Sequence, residues 1–154
     1  MNDSIEDIVS AWTTFLEDNA RETLISDTTP RETGCGLVYE LGNPLKRPNE
    51  SFAIADARRL ERFEPHYHVN ETEIYIVLSG QGTIVVGGTA QEVTAGDAVV
   101  IPPDTAHFAA RYNNLVLAVI NTPPFNHENT RGLTKSNPDV GYDKKLYEEL
   151  TRPA

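Results

Sequence analysis

Cysteine is almost missing from this chain. Cys35 stands alone among 154 residues, so no internal disulfide can form and no oxidising compartment is required. Positive charge is scarce as well. Against 23 Asp and Glu there are 13 Lys and Arg, a formal net charge of −10, which repels nucleic-acid phosphates and anionic membrane surfaces. Long apolar runs are absent too: the first residues, MNDSIEDIVSAW, have neither a basic leader nor an apolar stretch of signal-peptide length. Internal repeats, low-complexity tracts and a helix-turn-helix pattern are also missing. These absences point to a soluble, cytoplasmic protein whose partners are neither nucleic acid nor membrane. Its length suits one domain with a continuous core.

What is present divides into three parts. Ile5, Ile8, Val9, Trp12, Phe15 and Leu16 fall at helical spacing and predict a packing helix over 3–20, capped by Asp3 or Ser4. Residues 1–32 are read as this helix and a lead-in strand. From about residue 33 the chain turns to short apolar runs broken by Gly, Pro, Asn and Asp. The runs GCGLVYEL, SFAIADARRL, TEIYIVLS, GTIVV, TAQEV, AVVIP, AHFAARY and NLVLAVIN predict successive strands over 33–122, with 42–50 as a surface loop. Gly87-Gly88 signals a two-residue hairpin, and residues 95–97, 102–105 and 113–114 carry further turn chemistry. So many short strands make an all-β antiparallel sandwich or barrel. Residues 123–154 are read as a proline-bearing loop and a short helix near GYDKKLYEEL, packed on the barrel.

The chemistry concentrates in PHYHVNETEIYIVLSG, residues 65–80. Alternation puts His66 and His68 on one face of a strand, whereas Glu73 has the wrong parity for that face if the strand runs straight. A tight hairpin at 69–72 would reset the count, so that Glu73, Tyr75 and Val77 face the histidines from a returning strand. Imidazole nitrogen and carboxylate oxygen together suit a divalent transition metal. The competing reading, a strand with merely exposed histidines, loses ground once AGDAVVIPPDTAHFAAR brings a third histidine, His107.

With these two stretches the chain resembles a small single-domain cupin. His66, His68, Glu73 and Gly80 match the first cupin motif without a gap, and Gly96, Pro102 and His107 match the second. Leu60 stands where the first motif often opens with Gly, Asp104 replaces a Gly, and Arg111 replaces a terminal Asn; none is a ligand position. The resemblance implies a jelly-roll barrel, or double-stranded β-helix, and commonly a homodimer. It also implies a metal held by His66, His68, Glu73 and His107, with Fe, Mn, Ni and Zn all compatible.

Around the site, Arg111 shares the parity of His107. It reads as a fork for a substrate carboxylate or phosphate, or else as an internal salt bridge or a rim residue. On the first reading, Arg111→Ala would spare the metal and weaken an anionic ligand. Tyr75 is a candidate acid or base beside the metal, with barrel packing as the alternative. Ala53, Ala55 and Ala57 would leave open volume if they face inward, and Arg58 or Arg59 would reach the cavity from the same strand. Phe108 should point away from the site, Glu71 should be a solvated turn residue, and Cys35 a small buried one. His127 is read as a loop or lid residue. The function expected is a metal-dependent enzyme on a small, oxygen-rich or anionic organic molecule, of dioxygenase, isomerase or lyase type. The alternatives are a non-catalytic small-molecule binder and a structural barrel; the intact ligand set argues against the latter.

Overall fold

The computed structural model describes residues 29–40 and 50–153. The helix expected over 3–20 and nearly all of the loop expected over 42–50 lie outside the described residues. Within them, the strands run β1 (Arg31–Thr33), β2 (Gly36–Glu40), β3 (Ser51–Asp56), β4 (His66–His68), β5 (Thr72–Val86), β6 (Thr89–Thr94), β7 (Ala98–Ile101), β8 (His107–Thr122) and β9 (Thr130–Gly132). A single α-helix, α1 (Lys144–Leu150), closes the described chain. All strand pairs are antiparallel.

Two long strands organise the barrel. β5 and β8 pair from Thr72↔Thr122 to Val86↔His107, and their register slips three times between Val77 and Thr83. Gly80 (φ 78°) sits in that stretch of β5, and Arg111 and Asn114 (φ 49° and 54°) lie opposite it in β8. Such bulges bend a strand without ending it. The sequence breaks at Gly80 and Asn113-Asn114 therefore do not separate strands as expected, because pairing resumes beyond both. A Cβ at Gly80 would come within 2.3 Å of the Asn114 carbonyl oxygen, so the motif glycine is what lets the two bends approach.

The bends divide the curled sheet into two halves. In one, β8 from Val116 to Asn121 lies between β3 and the start of β5, with β7 beyond. In the other, β8 from His107 to Ala110 lies between the end of β5 and β4, with β6 and β9 outside. One core cluster takes Ala55, Val77 and Leu117 from the first half and Ile84, Val85 and Ala109 from the second. This is the all-β jelly-roll that the sequence predicts. The Gly87-Gly88 turn joins Val86 to Thr89 with both glycines at positive φ, the left-handed pair a two-residue hairpin needs.

The expected short helix is α1, with Asp143 capping it through bonds from the Lys145 and Leu146 amides. Phe108 does point away from the site, and what covers it is Tyr147 of α1, edge to face at 4.9 Å. No helix among the described residues is long and apolar enough to cross a membrane.

Candidate metal centre

β4 and β5 do not form the expected hairpin. β4 pairs with β8 and β9, β5 with β6, β7 and β8, and Asn70 (φ 61°) turns a corner between the two halves of the sheet. The parity conflict disappears all the same, because the corner delivers Glu73 to the half that faces the histidines. His66, His68 and His107 come from one half and Glu73 from the other. One donor atom from each lies within 4.8 Å of every other, and all four residues are buried.

Each imidazole is set by its outer nitrogen. His66 Nδ1–H donates to the Glu64 carbonyl (2.9 Å) and His107 Nδ1–H to the Thr105 carbonyl (3.0 Å). Since a carbonyl only accepts, the proton of each ring sits on Nδ1, and the neutral form of such a tautomer presents its lone pair at Nε2. His68 Nδ1 meets Thr130 Oγ1 at 3.1 Å, and Asn121 Nδ2 donates to Glu73 Oε1 at 3.2 Å. Outer contacts of this kind orient ligands around a metal.

The inner atoms lack partners. His68 Nε2, His107 Nε2 and Glu73 Oε2 are buried without a hydrogen bond among the described residues. His107 Nε2 and Glu73 Oε2 do approach to 2.9 Å, an ion-pair distance, but they are not aligned as donor and acceptor. Buried polar atoms left this way are costly. One shared cation would satisfy them all, so the donor set fits a metal. Burial, helped by the nearby His107 ring, pulls the His66 pKa down to about 3, which keeps this imidazole neutral at physiological pH.

His66, His68 and Glu73 line a cavity of about 480 Å³, with His107 buried behind them in the same donor group. Val38, Ala53, Ala55, Val119 and Phe125 supply apolar wall, with Tyr75 and Asn121 near the donors and Arg31, Glu40 and His127 among the lining residues. Ala53 and Ala55 thus leave the open volume their parity suggests. Tyr75 is buried, its ring 5.8 Å from that of His107, and burial together with the Glu73 carboxylate raises its phenol pKa well above the usual value.

Arg111 is not in this cavity. It is exposed at positive φ in the bend of β8, where the bulge breaks the alternation that would have turned it inward. Arg58 folds back on Asp56 (2.9 and 2.7 Å), and neither it nor Arg59 lines the cavity.

Glu71 also departs from expectation. It is 1% exposed, and its Oε1 accepts from the Asn126 amide and from Asn129 Nδ2, both at 3.0 Å. These bonds tie the segment after β8 to the β4–β5 corner and seat Phe125 edge-on against His68, ring centroids 5.8 Å apart. Glu71→Ala strands two donors and should cost about 2 kcal/mol, with faster amide hydrogen exchange confined to 123–129; unchanged exchange there would contradict the role. Cys35, Asn121 and Phe125 are the other site residues that sequence reasoning missed. Asn121 alone carried a signal, the parity it shares with Leu117 and Val119 at the end of an apolar strand.

A family model for the cupin domain matches residues 60–114, the stretch that holds all four donors and both bends. The chain carries a small cupin domain. Solved structures agree on the fold. Pac13 of Streptomyces, a nucleoside dehydratase solved with uridine, superposes with a TM-score of 0.63 at 18% identity, over 74% of this chain and 91% of its own. A Klebsiella pneumoniae protein with a double-stranded β-helix domain gives 0.53 at 17% identity, over 73% and 96%. KdgF of Halomonas gives 0.50 at 20%, over 63% and 87%. No curated protein sequence matches this chain significantly.

Proposed function

We propose that this cupin is a metal-dependent enzyme that moves a proton on a small, oxygen-rich, uncharged organic molecule. The observation that carries the reading is the convergence of three imidazoles and a carboxylate beside a 480 Å³ cavity, with His68 Nε2, His107 Nε2 and Glu73 Oε2 left without partners. His66, His68, Glu73 and His107 would hold a divalent ion. Such an ion supplies Lewis-acid polarisation of a ligand oxygen. Tyr75 donates or accepts the proton at Oη, since it is the phenol that lines the cavity beside His107. Phe125 and the apolar wall exclude water from the ligand's far side. Proton transfer makes isomerisation or elimination the adopted chemistry over dioxygenation, and the dehydratase activity of Pac13 on the same fold is in keeping with it.

The uncharged ligand follows from the lining. Glu32, Glu40, Glu64 and Glu73 contribute four carboxylates, while Arg31 is the single Lys or Arg among the described lining residues. Arg31 is already paired with Glu40 at 2.6 Å. An anion would meet repulsion everywhere except at the metal itself.

The test is a split between metal and turnover. Elemental analysis of purified protein should find one divalent ion per chain, and Tyr75→Phe should keep it while turnover of a sugar or nucleoside substrate falls roughly 100-fold or more. Iron content with substrate-dependent oxygen uptake would instead establish dioxygenation. Tight ligand binding without turnover would establish the binding-module reading.

A further inference from the structure

Cys35 lies in the turn between β1 and β2, 31 residues before His66, and its Sγ stands 3.9 Å from His66 Nε2. This is the inner nitrogen, opposite the Nδ1 that donates to Glu64, and the thiol S–H is within hydrogen-bond reach of it. We propose that Cys35 is a fifth protein donor to the metal, an inference that rests on the metal reading of the site.

Position comes first. The Thr33 hydroxyl accepts from the Cys35 amide and donates to the Gly36 carbonyl, both at 3.0 Å, which fixes the turn from within. The Glu64 amide donates to the Gly34 carbonyl at 2.8 Å, and the Glu64 carbonyl receives Nδ1–H of His66. One residue, Glu64, therefore ties the Cys35 turn to the His66 ring. Two donors on one ion can stand no farther apart than the sum of their bond lengths, roughly 4.4 Å for thiolate and imidazole on zinc, and 3.9 Å is within that limit.

The second, independent observation is a set of unpartnered buried atoms: His68 Nε2 and Glu73 Oε2 on the same cavity, and His107 Nε2 in the same donor group behind it. They mark where a cation would be held, and the thiol lines that space. On coordination the sulfur–metal bond forms, the S–H bond breaks, and the proton leaves through the cavity mouth to water. The sulfur shifts preference toward Zn(II), Co(II), Ni(II) and copper and away from Mn(II) and Mg(II). It also takes a position that a four-donor site would leave to the ligand, so substrate would bind the ion through fewer oxygens.

Cobalt(II) is the probe, added to chelator-stripped full-length protein kept reduced with a phosphine. Wild type should develop a near-ultraviolet sulfur-to-cobalt charge-transfer band that saturates at one equivalent. Cys35→Ser and Cys35→Ala should lose that band, keep the visible d–d bands, and hold cobalt at least about tenfold less tightly. Wild type that binds one equivalent with d–d bands alone would overturn the fifth donor and leave the four-residue site standing. A charge-transfer band that persists in both variants, or equal cobalt affinity, would overturn it as well. Wild type that binds no cobalt would remove the metal centre and this inference together.

Discussion

Glu73→Ala is expected to reduce metal affinity by roughly 100-fold or more and to abolish the rise in Tm that added metal gives wild type. A change in an outer contact already costs 10–100-fold, and Glu73 is the one anionic donor of the four-residue set and the one that comes from the facing half of the sheet. Removing it leaves three neutral imidazoles on one side of the cavity. A ligand that binds only the folded state stabilises it by RT ln(1 + [L]/Kd). A 100-fold weaker site thus forfeits about 2.7 kcal/mol of metal-dependent stability at saturating metal. Calorimetric metal titration and thermal melts with and without a chelator read both quantities. His68→Ala should behave alike, because its Nε2 faces Glu73 Oε1 at 3.4 Å from the opposite half. An unaltered Tm response in both variants would be incompatible with metal at this site.

Phe63→Ala is expected to produce the largest loss of stability, about 3–5 kcal/mol. Phe63 is wholly buried and is the largest side chain in that class. Its ring stacks at 6.4 Å on His66 and meets Tyr112 edge-on at the same distance. Its carbonyl accepts the Tyr147 hydroxyl at 2.8 Å, which ties α1 to the segment before β4. For a chain of this size the loss corresponds to a Tm lower by roughly 10 °C. Because Phe63 backs the His66 ring, metal affinity should weaken along with stability. A variant as stable as wild type would mean that the cavity closes over the deleted ring.

These two predictions differ in how far the sequence alone could reach them. His66, His68, Glu73 and His107 were legible because strand alternation and motif spacing act over a few residues, and their chemistry does not depend on what packs behind them. The reason given for their convergence was still wrong in part, since a corner between sheet halves replaces the hairpin. Phe63 carried no signal, because its burial depends on α1 and β8, which lie far along the chain.

Arg111 shows the limit most directly. Its parity from His107 held only for a straight strand, and β8 bends where β5 bends at Gly80. Glu71 reads in sequence as a turn carboxylate in water, yet Asn126 and Asn129, more than 50 residues later, bury it.

The sequence by itself determined the all-β class, the two-residue hairpin at Gly87-Gly88, and which four residues could offer donor atoms to a metal, since each rests on local periodicity, motif spacing or turn chemistry. The tertiary structure alone decided that Arg111 faces out and that Phe125 lines the cavity. It also placed the thiol of Cys35 beside His66. Those outcomes depend on where two bends fall against each other and on which distant segments close the barrel, and neither leaves a trace in short-range spacing.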